Sequence, residues 1–351
     1  MRSVAFLVMF AFTFLSFSPG DLTPYPFPGL SHFPPAPLNL QNPVTLQGVE
    51  LGRHLFYDTI LSLDQDLSCA SCHRQEQAFS DAPNRFTKGS KERMSQRNTL
   101  ALFNLAWRKN LFWDGKSVSL EEQVFHPVRG HEEMNLTWVE AENRIRSSES
   151  YQVMYSMAFP GEEIDSIHIA YAIAQFERTL ISHNSKYDKV LRGEAYFTLE
   201  ERDGFILMND QTKGNCLHCH PSDGSAVTTT GNMSNNGLDD VVDAADYPDK
   251  GYGEVTKSLS DNGKFRIPAL RNLAFTAPYM HDGRFESLEA VLKFYAEDLN
   301  ASVNIDSRFH QAHQGGVNLN AEEQQQVIAF LNTLNDSVFV KESKFSSPFQ
   351  K

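Results

Sequence analysis

The chain has 351 residues, of which 41% are hydrophobic and 21% charged, and its formal net charge is −13. This length allows two ordinary domains with well-buried cores, and the composition is typical of globular proteins. The negative charge argues against nucleic acid as a partner, because the phosphates would be repelled.

An apolar run near the N-terminus predicts export. Arg2 is followed by a run of 14 mostly apolar residues from Val4 to Phe17. A run of this length suits the core of a signal peptide and is short for a bilayer span. We therefore expect residues 1–20 to be a signal peptide and the mature protein to be periplasmic, without an integral membrane segment. An uncleaved anchor is the alternative.

The elements that follow are predicted to be mostly helical. Residues 21–41 are rich in proline and favour an extended tether. The run VTLQGVELGRHLF, which follows Asn42, carries apolar residues at helical spacing, as does Ile164 to Ser182. Near the end of the chain, Asn320 and Glu323 have the spacing of a capping box and predict the start of another helix. Strand patterns are few.

All four cysteines belong to two CxxCH motifs, in the stretches LSCASCH and NCLHCH. The segments that precede them, ELGRHLFYD and ERDGFILMND, are similar, and the motifs lie about one domain length apart. This weak internal repeat predicts two related helical modules.

A CxxCH motif is typical of covalent haem attachment, with two thioethers to the haem vinyl groups and the histidine on the iron. A disulfide or a zinc pair is the alternative for each motif. The first haem would be held by Cys69, Cys72 and His73, and the second by Cys216, Cys219 and His220.

The opposite face of each iron decides the function. An electron carrier fills both axial positions, whereas an enzyme that activates peroxide leaves one open. No histidine occurs from Arg74 to Phe125, and Met94 is the only soft ligand there. The first iron is therefore expected to lack a sixth protein ligand, unless Met94, His126 or His131 supplies it.

At this point the chain resembles the bacterial di-haem cytochrome c peroxidase and MauG family. The motifs that carry the resemblance are LGRHLFYD, SCASCH, RNTLALFN, FWDG, EEQVFHP, EEM, NCLHCH, LRN and TAPYMHDG, between about residues 42 and 338. The resemblance implies an all-α fold of two cytochrome c-like domains, each with one covalently bound haem c. The peroxidatic domain would span 42–185 and the electron-transfer domain 186–340, whose C-terminal segment could pack back on the first.

The resemblance also implies roles for single residues. Trp113, in the WDG motif, would lie between the haems and help electrons pass. Glu133 would lie over the peroxidatic haem, where a carboxylate can move a proton from one peroxide oxygen to the other. Gln123 would line the same pocket, with Pro127 nearby.

One calcium ion between the domains is a further implication. Its ligands in the family are an asparagine side chain, two backbone carbonyls and water. These positions match Asn98, Thr276 and Pro278, and oxygen ligands of this kind suit calcium.

Two departures from the peroxidases concern the axial ligands. Many of them have a histidine after the first CxxCH that blocks the iron until the other haem is reduced, and this chain has none there. We therefore expect a first site that is open in the oxidised resting state. Where the peroxidases have a methionine on the second iron, this chain has Tyr295, as MauG does. A phenolate favours ferric and higher oxidation states, whereas methionine raises the potential. Met280 is the alternative ligand.

The expected activity is reduction of hydrogen peroxide to water, with electrons from a small protein such as a c-type cytochrome. A MauG-like enzyme that oxidises tryptophan or tyrosine in a partner protein is one alternative. A di-haem electron carrier without catalysis is another. Dimers are common in the family, so a homodimer is also an expectation.

Overall fold

The computed structural model describes residues 22–37, 39–222, 227–309 and 315–349. The predicted signal peptide lies outside these residues. Helices dominate, with one short antiparallel pair of strands, β1 (Met233–Ser234) and β2 (Phe265–Arg266). This confirms the all-α prediction. The helices are α1 (Leu46–Tyr57), α2 (Cys69–Cys72), α3 (Leu120–Arg129), α4 (Trp138–Ser147), α5 (Glu149–Ala158), α6 (Ser166–Thr179), α7 (Lys186–Leu191), α8 (Leu199–Asn209), α9 (Gly253–Thr256), α10 (Leu288–Glu297) and α11 (Ala321–Asn332).

The first half of the chain is built around the crossing of α1 and α6. Both helices were predicted from their apolar spacing. Thr45 caps α1 by accepting a hydrogen bond from the backbone N–H of Gly48, and Asp165 caps α6. A Cβ atom at Gly52 would lie 1.9 Å from the carbonyl oxygen of Ala172. The two helices can therefore touch only because position 52 has no side chain.

The second half repeats this arrangement with α8 and α11. A Cβ atom at Gly204 would lie 1.9 Å from the carbonyl oxygen of Gln326. The predicted capping box at the start of α11 is present, with Asn320 accepting from Glu323 N and Glu323 accepting from Asn320 N. Gly52 and Gly204 each lie six residues before the final aspartate of the two similar stretches ELGRHLFYD and ERDGFILMND. The internal repeat therefore preserves a close helix crossing just before each cysteine pair.

The segment after α11 lies against the first half. Phe339, Val340 and Phe345 are buried in one cluster with Phe56 and Phe79. The rings of Phe79 and Phe339 are 5.7 Å apart. The end of the chain therefore helps to enclose the first cysteine motif, although it follows the second motif in sequence.

The proline-rich segment before α1 lies on the body of the protein and contains a turn near Phe33. Pro24 forms a bridge with Thr45. Phe33 is 7% exposed and packs against Trp107, and His32 Nε2 lies 3.1 Å from Asp188 Oδ1. Across the ranges that the structure describes, none of the helices has both the length and the apolar character that a bilayer crossing needs.

Candidate functional site

The first cysteine pair opens onto a cavity of about 1020 Å³. Cys69 and Cys72 lie on α2, whose single turn presents both sulfurs, and Ser68 begins that turn with a capping box. The Nδ1–H of His73 donates to the carbonyl oxygen of Phe79 over 2.8 Å. This bond leaves Nε2 for the cavity, and burial lowers the pKa of His73, which favours the neutral imidazole that ligates metals.

These residues fit a covalently bound haem. All four cysteines are free thiols in the structure. Within the described ranges, no group of three or more histidine, cysteine or acidic side chains is arranged to hold a metal ion. The cavity is at the upper end of the size range of sites for large organic ligands. The structure therefore supports haem attachment and gives no support to the disulfide and zinc alternatives.

Glu133 faces the first cavity from the loop after α3, and Gln123 and Pro127 line it from α3 itself. The backbone holds Glu133 in place, because Ser90 N donates to its carbonyl oxygen over 2.7 Å. Burial raises the pKa of the Glu133 carboxyl. A Cβ atom at Gly130 would lie only 2.5 Å from Glu133 Oε2. The three residues implied for the peroxide pocket therefore share one wall.

The residues named as alternative ligands of the first iron occupy different places. Met94 is 45% exposed and is not among the residues that line the cavity. His126 packs its ring against Phe112. His131 does line the cavity, with its Nδ1 atom 2.7 Å from Asn135 Oδ1. Of the three alternatives, His131 is the one that the structure brings to the cavity.

The second cysteine pair lines another cavity, of about 260 Å³, together with His220, Met280 and Tyr295. Burial lowers the pKa of His220 to about 4, so its imidazole is neutral at physiological pH. The second CxxCH stretch begins with a single 3₁₀ turn, Cys216–His218, which a short loop connects to the end of α8 at Asn209. Each motif therefore presents two thiols and a neutral imidazole to a cavity.

Tyr295 is half-buried, and its ring stacks on that of Phe309 with the ring centres 6.0 Å apart. Its hydroxyl accepts a hydrogen bond from Asn236 Nδ2 over 3.0 Å, and the same nitrogen is 3.7 Å from the sulfur of Met280. Burial raises the pKa of Tyr295 to about 12. The two alternative ligands of the second iron, Tyr295 and Met280, therefore both lie next to the side-chain amide of Asn236 in the cavity wall.

Trp113 lines both cavities. Its indole N–H donates to the carbonyl oxygen of Asn98 over 2.8 Å, and its own carbonyl oxygen accepts from the backbone N–H of Arg266 over 2.8 Å. The indole is therefore fixed in the wall that the two sites share. The rings of Trp107 and Trp138 pack against those of Phe33 and Phe125 respectively.

The three residues matched to calcium line the second cavity together. The side-chain amide of Asn98 donates to the carbonyl oxygens of Asn84 and Arg85 at 3.3 and 3.1 Å. These two bonds fix the orientation of the amide, with its Oδ1 atom on the side away from the two carbonyls. The carbonyls of Thr276 and Pro278 belong to the neighbouring loop before α10.

Three charged residues of the cavities were missed by the sequence reasoning. Glu177 on α6 is 4% exposed and lines the first cavity. Burial raises its pKa to about 8, and its Oε2 atom has no hydrogen-bond partner. Arg108 lines the second cavity, and Arg266 lines both. A charge on the apolar face of a predicted helix could have indicated Glu177, but no sequence pattern marked the arginines.

The chain is similar to several known proteins. A family profile described as di-haem cytochrome c peroxidase matches residues 46–196. The methylamine utilization protein MauG of Methylophilus methylotrophus is 31% identical over 307 residues, which are 86% of this chain and 85% of that protein. Cytochrome c551 peroxidase of Nitrosomonas europaea is 31% identical over 304 residues, covering 86% and 84%. A crystal structure of a MauG-like protein associated with microbial copper homeostasis superposes with a TM-score of 0.83 at 33% identity, covering 91% and 98%.

Proposed function

The chain belongs to the di-haem cytochrome c peroxidase and MauG family, and we propose that it reduces hydrogen peroxide to water with electrons from a small donor protein such as a c-type cytochrome. Each peroxide would take up two electrons and two protons and yield two water molecules. The observation that supports this function best is the position of the Glu133 carboxyl, which lines the same cavity as Cys69, Cys72 and His73.

Two haem c groups are the cofactors that the family implies. Cys69 and Cys72 would hold the first and Cys216 and Cys219 the second, with His73 and His220 toward the irons. A haem joined to each pair would supply an iron that binds peroxide or exchanges electrons. In the protein itself, the bond from His73 to Phe79 fixes the tautomer and direction of the imidazole.

Glu133 would act as the general acid and base. Its Oε2 atom would accept the proton of the peroxide oxygen nearer the iron and return it to the departing oxygen. Burial raises the pKa of this carboxyl, which helps it to hold the proton between the two transfers. Gln123, on the same wall, would orient the peroxide by hydrogen bonding.

Trp113 would connect the two sites, because it lines both cavities and its indole is fixed by Asn98. Tyr295 would complete the second site as the distal ligand, with Asn236 donating to the phenolic oxygen. An anionic ligand of this kind would stabilise the oxidised state of the second site.

One calcium ion would lie between the domains, held by Asn98 Oδ1 and by the carbonyl oxygens of Thr276 and Pro278. The anchored amide of Asn98 supports this assignment, and neutral oxygens are ligands that calcium accepts. Metal analysis of the purified protein would test it: one calcium per chain is expected, and N98A should lose it. A calcium content that is unchanged in N98A would contradict the assignment.

The protein is proposed to work in the periplasm, because residues 1–20 have the pattern of a signal peptide. The domains would meet near residue 185, and a homodimer remains an expectation of the family. Expression with an intact N-terminus, followed by fractionation and by light scattering of the mature form, would test these points.

The main experiment is peroxide turnover with a matched pair of variants. Haem-loaded protein should oxidise reduced c-type cytochrome when peroxide is added, and E133Q should lose most of this activity. E132Q is the matched control, because Glu132 lines the same cavity but its carboxylate accepts a hydrogen bond from the side-chain amide of Gln96. Oxidised protein should also change its Soret band on mixing with peroxide alone. Equal activities of E133Q and E132Q, or a Soret band that responds only after pre-reduction, would contradict the proposed open site.

A MauG-like activity on a partner protein is the second candidate, and Tyr295 is the observation that favours it. The tyrosine lies in the second cavity, where a phenolate would favour retention of oxidising equivalents. Turnover with reduced cytochrome c would support the peroxidase. Negligible turnover, together with a peroxide-dependent covalent change in a co-expressed partner, would support the second candidate.

A further inference from the structure

Among the described residues, two arginines at the cavities have no acidic partner: Arg266, which is buried, and Arg108, which is half-buried. Arg266 is 5% exposed, and its Nη1 atom is buried without a hydrogen bond. Arg108 Nε is likewise buried and unpartnered. Throughout the described part of the chain, no carboxylate forms an ion pair with either side chain. The positive charge of Arg266 acts on the Arg108 guanidinium and, being repulsive, lowers its pKa further.

The other cavity-lining arginines show how unusual this is. In each of the two cavities, every other lining arginine has a guanidinium nitrogen within 3 Å of a carboxylate oxygen. The pairs are Arg97 with Asp114 and Asp249, Arg284 with Asp239 and Asp282, and Arg271 with Asp188. The chain therefore neutralises its other cavity-lining guanidiniums and leaves Arg108 and Arg266 without a protein counter-ion.

Burying an unpaired cation is costly, and natural proteins rarely do so without a compensating anion. The backbone fixes Arg266 firmly: its N–H donates to Trp113 O over 2.8 Å, and its Nε donates to Phe112 O over 3.1 Å. Arg108 lies over the ring of Phe103, with its guanidinium carbon 5.5 Å from the ring centre. Both groups are thus held beside the cavities in defined places.

We propose that Arg108 and Arg266 are the receptors for haem propionate carboxylates at the wall between the two sites. The inference rests on the di-haem function proposed above. Arg108 would bind a propionate of the second haem, whose cysteines line the same cavity. Arg266 lines both cavities, so it would bind a propionate of the second haem and would also lie close to the first haem.

The chemistry of both partners fits this assignment. A propionate carboxylate is a planar anion, and guanidinium groups bind such anions through paired N–H donors. Burial lowers the pKa of Arg266 to about 10 and lowers that of Arg108 as well. A neighbouring carboxylate would oppose this shift and keep both groups charged.

Potentiometric titration of the haem-loaded protein tests the proposal. A buried cation stabilises the reduced state of a nearby haem, so its removal should lower the reduction potential. R108Q should lower the potential of the second haem alone, and R266Q should lower both. We expect about a tenfold change in the reduction equilibrium, or 59 mV for a one-electron couple. R202Q, which removes an exposed arginine with 57% side-chain exposure, should change neither.

The charge-conserving variants R108K and R266K guard against effects of packing alone and should keep potentials near those of the wild type. A crystal structure of the haem-loaded protein should show each guanidinium about 2.7–2.9 Å from a propionate oxygen. Potentials of R108Q and R266Q equal to those of R202Q, or lysine variants shifted as far as glutamine variants, would overturn the inference. A chain without two covalent haems or without peroxide turnover would instead contradict the proposed function.

Discussion

The side-chain amide of Asn236 donates to the hydroxyl oxygen of Tyr295 over 3.0 Å, and this bond lies in the wall of the second cavity. We predict that Y295F changes the ferric Soret and EPR spectra of the second haem and raises its reduction potential, because an anionic oxygen ligand is lost. N236A should lower that potential, since a phenolate without its donor binds iron more strongly. The opposite signs make the pair of variants informative.

Met280 provides the control, because its sulfur is 3.7 Å from the same Asn236 nitrogen. M280L should leave the ferric spectra unchanged if Tyr295 is the ligand. If M280L changes the ferric spectrum and Y295F does not, then Met280 is the ligand of the second iron.

Gly130 offers a test of the position of Glu133 without changing its chemistry. Gly130 has an ordinary φ of −59°, so alanine is compatible with its backbone. The new Cβ atom would lie 2.5 Å from Glu133 Oε2 and would push the carboxylate aside. We predict that G130A lowers kcat/KM for peroxide by about 10- to 100-fold while both haems remain attached. G29A should have no effect, because no atom lies within 4 Å of a Cβ there, and equal rates for G130A and G29A would disprove the positional argument.

The sequence predicted what depends on neighbouring residues. The helices α1, α6 and α11 could be predicted from apolar spacing and capping residues. The haem-attachment motifs could be predicted from the CxxCH pattern itself. Glu133 was different, because only its spacing within a family pattern separated it from other exposed acids. Arg108 and Arg266 could not be found, because their unpaired state depends on segments more than 150 residues apart. Whether a charge has a partner is a property of the tertiary fold.

Trp113 can be compared with another tryptophan of the same chain. Each indole N–H donates to a backbone carbonyl over 2.8 Å, that of Trp113 to Asn98 and that of Trp107 to Pro34. Only Trp113 lies between the cavities. We predict that W113F slows electron transfer between the haems, measured by stopped-flow spectroscopy after reduction of one haem, whereas W107F does not. Equal rates in the two variants would show that the electrons take another route.

Glu177 should make the stability of the protein depend on pH. Burial raises its pKa from 4.5 to about 8, so between these values the folded chain holds a proton that the unfolded chain releases. The stabilisation is complete below pH 4.5 and is lost as the pH rises toward 8, by about 1.4 kcal/mol per pH unit in this window.

We therefore predict that E177Q, whose amide resembles the neutral acid, matches the wild type in free energy of unfolding near pH 4 and exceeds it by several kcal/mol near pH 8. Denaturant unfolding of the haem-loaded protein at several pH values would measure the difference. E162Q, which changes an exposed loop position, should show the same pH dependence of the free energy of unfolding as the wild type. Parallel curves for E177Q as well would mean that a partner keeps Glu177 ionised, and the carboxyl would then be an ordinary buried anion rather than a proton store beside the first haem.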